Sequence, residues 1–321
     1  MYYNAALVLE GGAMRGLYTS GVLDTFLEHD IQFDCVIGVS AGSLNGANFV
    51  SKQYQRTYNV NVKYRKDHDY ISLARPFKHE SIINLDFLFD DHGLDWHNFD
   101  NKAYLKSETD FIVVATSLES GKAVTLRNPQ PGQDLIDALE ASSSMPFISK
   151  PHNTSKGLCL DGGIANSVPF DIAQKMGFQK IVVVRTRPRD YRKKPTSFAL
   201  KRLYSNSFKE YPEFVKTAIR RPEMYNHSVE VLNKLEHNDE IFCLAPKDPV
   251  KVGRLEHNTK KMTELYNIGR NDAESNLEAM LNYLQKSEPL WLKIHFKTKK
   301  HGIYLAKLSD TMFLFYICQF S

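Results

Sequence analysis

The sequence predicts an α/β protein with three layers, in which helices cover both faces of a mostly parallel central sheet. Three observations support this α/β/α class. Short apolar runs typical of buried strands alternate with segments of helical periodicity along the 321-residue chain. Two of these runs end in glycine-containing turns that lead directly into a helix. Hydrophobic residues make up 42% of the chain, which is enough for a sizeable core.

The first strand–turn–helix unit comprises a strand at residues 5–9, a glycine-rich loop at 10–16 and a helix at 18–27. Such a loop aims backbone N–H groups at an anion. The dinucleotide motif G-x-G-x-x-G is broken because the third position from Gly11 is Ala13, and the Gly-Lys-Ser/Thr of a P-loop is absent. We therefore expect the amides of Gly12 and Ala13 to hold the oxyanion of a tetrahedral acyl intermediate.

The second unit carries the sequence G-x-S-x-G of a nucleophile elbow, from Gly38 to Gly42. A strand at 33–37 precedes it and a small-residue helix at 41–50 follows it. In such an elbow the serine protrudes from a sharp, strained turn. The flanking glycines avoid collisions that a Cβ would make with the neighbouring chain. The pattern therefore marks Ser40 as the candidate nucleophile.

A base for this serine is predicted at the end of another short strand. Residues 158–161 end in Asp161, and Gly162 and Gly163 allow a tight turn beside it. A carboxylate at the end of a strand in a parallel sheet lies at the edge where α/β proteins assemble their sites. An ordinary α/β-hydrolase is disfavoured, because only one strand and one helix precede Ser40. Among eleven histidines, His152 lies near Asp161 in sequence, but we expect no catalytic role for it.

In order and spacing, the three motifs resemble those of the patatin-like phospholipase family, D-G-G-G-x-R/K-G, G-x-S-x-G and D-G-G/A. A stretch at 141–147 also resembles the family's A-S-x-x-x-P, and the likeness covers about residues 5–186. It implies a patatin-like fold and a Ser–Asp dyad of Ser40 and Asp161. It further implies an oxyanion hole at Gly11, Gly12 and Ala13. Supporting motif residues are Arg15, Gly16, Gly38, Gly42, Gly162 and Gly163.

Two positions depart from the family pattern. Glu10 replaces the usual aspartate, and Ala13 replaces the third glycine. Alanine still offers a backbone N–H, so we expect the oxyanion hole to persist with a negative φ at residue 13.

The function implied by the resemblance is that of a serine acyl hydrolase, a phospholipase or lipid esterase that acts on a lipid ester. Two alternatives stay open: a transacylase that uses the same dyad, and a silent lipid-binding or regulatory module. The chain shows no H-E-x-x-H motif and no Cys/His spacing typical of a metal site. We therefore expect neither a metal nor another cofactor.

We expect residues 1–286 to form the catalytic domain, with the motifs within 5–186 and a largely helical, basic extension at 187–286. In the extension, residues 241–244 predict a late strand and 259–285 a long amphipathic helix. The structure of the tail, 287–321, is not predicted. Its apolar run at 312–320 is too short to span a bilayer.

A basic segment, residues 189–221, holds ten Lys/Arg against three Asp/Glu, with aromatic residues interleaved. This composition suits contact with an anionic phospholipid surface, although a solvated helical face is an equal alternative. Nucleic acid fits less well, because no binding motif accompanies the charges. A second region is rich in apolar residues and predicts either a lid or acyl-chain wall, or an ordinary packing segment: Phe87, Leu88, Phe89, Leu94, Trp96 and Phe99.

The four cysteines are far apart, and two of them, Cys35 and Cys159, fall in predicted core strands. Reduced, buried thiols are the expectation for such cysteines. The first strand begins too early for a signal peptide, and no apolar run reaches the length of a transmembrane helix. We therefore expect a cytoplasmic protein that touches membranes at most peripherally.

Overall fold

The fold is described from a computed structural model, in which residues 1–64, 70, 84–89 and 98–286 are described. Within this range, residues Met1–Leu284 form one compact unit. The predicted wall residues Leu94 and Trp96, and the tail at 287–321, lie outside the described residues.

The helices and strands follow the alternation that the sequence predicts. The strands are β1 (Tyr2–Leu9), β2 (Gln32–Val39), β3 (Asp110–Ser117), β4 (Ala123–Arg127), β5 (His152–Thr154), β6 (Gly157–Asp161), β7 (Ile181–Val184) and β8 (Phe242–Leu244). The helices are α1 (Gly16–Glu28), α2 (Ala41–Val50), α3 (Arg56–Lys63), α4 (Leu85–Phe89), α5 (Asn101–Lys106), α6 (Gln133–Ser143), α7 (Phe170–Lys175), α8 (Phe198–Ser207), α9 (Pro212–His237) and α10 (Thr259–Gln285).

One sheet contains all eight of these strands. Five of them run parallel in the order β3-β2-β1-β7-β8, which places the first strand of the chain at the centre. At the other end, β4 and β6 both pair antiparallel with β3, and β5 pairs antiparallel with β6. The prediction of a mostly parallel central sheet is confirmed.

Helices cover both faces of the sheet, and β1 shows why. Its alternate residues Leu7 and Leu9 pack with α1, α2 and α10, whereas Ala6 and Val8 pack with α7 and α9. All four side chains are fully buried. A strand that is apolar on both sides requires a layer of helices on each face, so the three-layer prediction is confirmed as well.

The extension packs tightly against the motif-bearing part through α10. A Cβ at Gly21 of α1 would lie 2.1 Å from the carbonyl oxygen of Tyr266, and one at Gly269 would lie 2.1 Å from that of Tyr18. The two helices approach so closely because both positions lack side chains. Tyr266 also donates its hydroxyl to Asp24 Oδ2 at 2.9 Å, so that a buried polar contact accompanies the glycines.

Candidate active site

Ser40 occupies the sharp turn between β2 and α2. Its backbone has φ 54° and ψ −125°, an unusual conformation for a residue with a side chain. A Cβ at Gly38 would lie 2.5 Å from Ser43 Cα, and one at Gly42 would lie 2.4 Å from the carbonyl oxygen of Leu9. The strained elbow that the sequence predicts is therefore present, and only glycine fits on either side of it. The positive end of the α2 dipole points at Ser40.

Ser142 fixes the elbow from α6. Its hydroxyl donates to the carbonyl oxygen of Val114 at 2.6 Å and accepts a hydrogen bond from Ser40 N at 2.8 Å. The side chain is fully buried, so these bonds are shielded from water. Ser142 belongs to the A-S-x-x-x-P stretch noted in the sequence, but sequence reasoning gave it no role.

Asp161 is brought to the same place by strand register. Val39 is level with Val114 of β3, and Ala115 pairs with Asp161. The base candidate therefore lies one step beyond the end of β2, beside Ser40. The expectation that its strand belongs to the parallel part of the sheet is wrong, because β6 runs antiparallel to β3.

Asp161 is 6% exposed, and its Oδ1 accepts a hydrogen bond from Gly163 N at 2.7 Å. Within the described part of the chain no hydrogen bond joins it to Ser40 Oγ, although both residues line one cavity. Catalytic hydrogen bonds are often formed only when substrate is bound. A Cβ at Gly162 would lie 2.0 Å from the carbonyl oxygen of Val114, so the turn after the aspartate also requires glycine.

The glycine-rich loop lies against the nucleophile. A Cβ at Gly11 would be 3.2 Å from Ser40 Cβ, and one at Gly16 would be 3.0 Å from Ala41 Cβ. Gly11 N donates to the carbonyl oxygen of Ser167 at 3.4 Å. The amides of Gly12 and Ala13 make no hydrogen bond within the described residues, so both are free to bind an anion.

Ala13 differs from expectation, because its φ is +50° rather than negative. This left-handed conformation costs a residue with a Cβ about 1 kcal/mol relative to glycine. The third glycine of the family motif would adopt it without strain. The amide of Ala13 is nevertheless in place at the start of a 3₁₀ turn, Ala13–Arg15.

Glu10 holds the loop and is itself almost fully buried. Its Oε2 accepts from Thr186 N at 2.6 Å and its Oε1 from the Tyr225 hydroxyl at 3.0 Å. Thr186 also donates its hydroxyl to the carbonyl oxygen of Gly11 at 3.0 Å. Burial, together with the Glu10 carboxylate, raises the pKa of Tyr225. The glutamate thereby connects the loop to β7 and α9, a network that sequence reasoning missed.

The cavity has an apolar side. Its lining includes Leu17, Leu44, Val60, Leu88 and Phe89. Most of these side chains belong to the core cluster on the α1 and α2 face of the sheet. In the aromatic region, Leu88, Phe89 and Phe99 are buried, so the described residues act both as a cavity wall and as ordinary packing. Such a surface suits a fatty-acyl chain.

The other side of the cavity is basic. Arg15 is buried, and burial followed by repulsion from Arg187 and Arg254 lowers its pKa to about 10. Lys193 and Arg221 line the same region. Tyr191 and Tyr225, which contact these cations, pack in the cluster on the α7 and α9 face of the sheet.

The remaining candidates take no part in this geometry. His152 Nδ1 lies 2.8 Å from Glu140 Oε2 and is not among the residues that line the cavity. Within the described residues, no group of three or more His, Cys, Asp or Glu could hold a metal ion. In the same part of the chain, no helix is long and apolar enough to cross a membrane.

Two parts of the chain match known families. Residues 7–174 match the model of the family described as Patatin-like phospholipase, and residues 211–285 match a domain of unknown function, DUF6363. The chain is 26% identical to the uncharacterized protein YjjU of Escherichia coli over 83% of this chain and 74% of that protein. It is 25% identical to the probable lipid hydrolase 463L of invertebrate iridescent virus 6, over 54% of this chain and 64% of that protein.

Two further comparisons concern a larger protein and a solved structure. The chain is 23% identical to the rat patatin-like phospholipase domain-containing protein 7, over 58% of this chain but 14% of that protein. The crystal structure of VipD from Legionella pneumophila aligns with a TM-score of 0.43 and 12% identity, over 87% of this chain and 67% of VipD.

The family match, on a three-layer α/β/α sheet with a sharp serine turn beside a glycine-rich loop, supports a lipid hydrolase. The chain belongs to the patatin-like phospholipase family, whose model matches more than half of it.

Proposed function

We propose that this protein cleaves fatty-acyl esters of lipids through a Ser–Asp dyad and an acyl-enzyme on Ser40. Ser40 Oγ attacks the ester carbonyl carbon, and its proton passes to Asp161. The tetrahedral intermediate collapses, the C–O bond to the alcohol breaks, and Asp161 returns the proton to the leaving oxygen. Water then attacks the acyl-enzyme by the same route, and the fatty acid is released.

The negative charge that develops on the carbonyl oxygen would be bound by the amides of Gly12 and Ala13. Both amides lack other partners in the described residues, whereas Gly11 N is engaged by Ser167. Preorganised donors of this kind contribute about 3–4 kcal/mol each to the transition state. The free amides therefore favour Gly12 and Ala13 over Gly11 as donors.

The observation that carries this proposal is the strained turn at Ser40. A φ of 54° with a Cβ present is costly, about 1–3 kcal/mol, and such strain is concentrated at functional sites. The turn holds its serine beside the buried Asp161, on a cavity that is also lined by apolar side chains. A silent lipid-binding module would have no use for this strain.

Hydrolysis of p-nitrophenyl esters of increasing chain length tests the dyad. We expect wild type to favour longer chains, and Ser40→Ala and Asp161→Asn to lose activity. Asparagine keeps the acceptor that Gly163 N requires, so the fold is expected to persist. As controls, Asp171→Asn removes an exposed ion pair with Lys175, and His152→Ala removes the nearby imidazole. Activity that persists in Ser40→Ala, or disappears in His152→Ala, would refute the mechanism.

The transacylase alternative differs only in the acceptor. Products formed with and without an added monoacylglycerol separate the two reactions, because acyl transfer yields a diacylglycerol and hydrolysis a free fatty acid. We expect the fatty acid to dominate in both cases. Labelling of wild type, but not of Ser40→Ala, by a fluorophosphonate separates either enzyme from a silent binder.

We also propose that the basic segment contacts an anionic membrane surface. Phe198 at the start of α8 is 81% exposed, and Leu203 of the same helix is 46% exposed. The cations Lys194, Lys201 and Arg202 are exposed around them. Exposed aromatic and aliphatic side chains amid lysine and arginine are typical of interfacial helices.

Co-sedimentation with vesicles tests this contact. We expect binding to phosphatidylcholine vesicles that contain phosphatidylserine, weaker binding without it, and a loss of binding in Phe198→Ser with Lys201→Gln. Equal binding of this variant and wild type would refute the contact. In the part of the chain that the structure describes, Cys35, Cys159 and Cys243 are buried and form no disulfide. This supports a reducing compartment, and we propose the cytoplasm.

A further inference from the structure

Basic side chains converge on one side of the cavity without matching acids. Four of them come from the extension, namely Arg187, Lys193, Arg221 and Arg254. Arg15 of the glycine-rich loop adds a fifth. Among the described residues that line the cavity, the carboxylates are Glu10 and Asp161. The five basic residues therefore exceed the acids beside them.

The extension contributes these residues from three separate places. Arg187 and Lys193 lie between β7 and α8, Arg221 lies in α9, and Arg254 lies between β8 and α10. All four lie outside the stretch that matches the family, residues 7–174. Arg221 and Arg254 fall within the domain of unknown function.

These cations have no counter-ion in the described part of the chain. None of them forms an ion pair with a carboxylate. Lys193 Nζ lies 3.8 Å from the ring centre of Tyr225, and the Arg187 guanidinium lies 4.4 Å from that of Tyr191. Arg221 Nε is buried and has no hydrogen-bond partner in the described residues.

Glu10 and Asp161 offset only part of the repulsion within the group. Burial, followed by the charge of Arg221, lowers the pKa of Lys193. Clustered cations with unused donors are stabilised when an anion enters between them. The arrangement is therefore preorganised for a negatively charged ligand.

The cations also lie beside the reacting groups. A Cβ on Gly163 would lie 2.9 Å from Asp161 Oδ1 and 3.4 Å from Arg221 Nη2. Both side chains therefore lie next to the same glycine. Lys193 Nζ donates to Ser167 Oγ at 3.2 Å, and Ser167 Oγ donates to the carbonyl oxygen of Gly163 at 2.7 Å. An anion bound here would thus be close enough to the scissile ester to belong to the same molecule.

We propose that Arg187, Lys193, Arg221 and Arg254 form a subsite for a phosphate group carried by the lipid ester. This proposal rests on the proposed function, because it places phosphate and ester in one substrate. Donors that approach from several sides match the oxygens of a phosphate. The acyl chain would occupy the apolar side of the cavity, and the phosphate the basic side. The extension, including its domain of unknown function, would then select the head group.

Two substrates that differ only in the phosphate test the subsite. One is a monoacylglycerol, and the other is the glycerol phosphate ester with the same acyl chain. We expect wild type to have at least a tenfold higher kcat/KM for the phosphate ester. Arg221→Gln and Arg254→Gln should each reduce this ratio about tenfold, the worth of one charged hydrogen bond. Lys234→Gln, an exposed cation on the same helix as Arg221, should leave both rates unchanged.

Binding of the two esters to the Ser40→Ala variant, measured by calorimetry, tests the subsite independently of the proposed hydrolase activity. Tighter binding of the phosphate ester than of the neutral ester, lost in Ser40→Ala with Arg221→Gln, would support the subsite even if no ester were turned over. Equal binding of both esters would overturn it. Binding of inorganic phosphate without any preference between the esters would indicate a site for a free anion, and would also overturn the head-group assignment.

Discussion

Replacement of Ser142 by alanine should weaken both the fold and the reaction, although Ser142 touches no substrate. Its hydroxyl is the one partner of the Ser40 amide in the described residues, and it also bonds the Val114 carbonyl oxygen. Without it, a part-buried N–H is left unpaired at the strained residue of the elbow.

The expected loss in the free energy of unfolding follows from these two hydrogen bonds. An unsatisfied buried donor costs about 1–3 kcal/mol, and a lost neutral hydrogen bond costs about 1 kcal/mol. Ser142→Ala should therefore lower the free energy of unfolding by roughly 2–4 kcal/mol. Because the strained turn loses a restraint, Ser40 should shift, and a displacement of this kind costs about 10- to 100-fold in kcat.

Ser143→Ala is the matched control. Ser143 is the next residue of α6, and its buried hydroxyl has no hydrogen-bond partner among the described residues. Urea unfolding should show Ser143→Ala close to wild type in stability, because this substitution removes no hydrogen bond from the described part of the chain. Equal stability and kcat for Ser142→Ala and Ser143→Ala would refute the role assigned to Ser142.

Three further predictions concern stability. Burial raises the pKa of Asp24 from 3.8 to about 6, so the folded state holds the proton more tightly. Urea unfolding should show stability falling as pH rises from about 4 to 6, by at most roughly 3 kcal/mol, and Asp24→Asn should flatten this slope. Ala13→Gly should raise the free energy of unfolding by about 1 kcal/mol and keep esterase activity; a loss of stability would contradict the strain at φ +50°. Gly269→Ala should destabilise by about 3 kcal/mol, because its Cβ would meet the Tyr18 carbonyl, and an unchanged melting temperature would exclude that contact.

Much of the fold and of the candidate site could be predicted from local sequence. The apolar run at β1 and the turn around Ser40 are patterns within a few neighbouring residues, and the structure contains both. By contrast, β5 consists of His152, Asn153 and Thr154, which have no apolar alternation. It is a strand because it pairs with β6, and no local pattern reports such a pairing.

The features of the site that the sequence did not predict depend on long-range contacts or on backbone dihedral angles. Ser142 and Ser40 are 102 residues apart, so spacing could not connect them. The sequence shows alanine at position 13 but does not report its φ. The family motif, with glycine there, held the signal that a positive φ is required. The basic segment was visible as composition, yet only folding separates the exposed Lys201 from the cavity-lining Lys193.

The glycine contacts between α1 and α10 bear on how this protein can vary. Gly21 belongs to the part that matches the family, and Gly269 to the part that matches the domain of unknown function. Neither position accepts a side chain while the other helix keeps its path. The two parts therefore cannot be exchanged independently. A chimera that joins this extension to another patatin-like core would need glycine, or a wider helix separation, at the position of Gly21. The two family matches therefore do not correspond to units that can be exchanged separately between proteins.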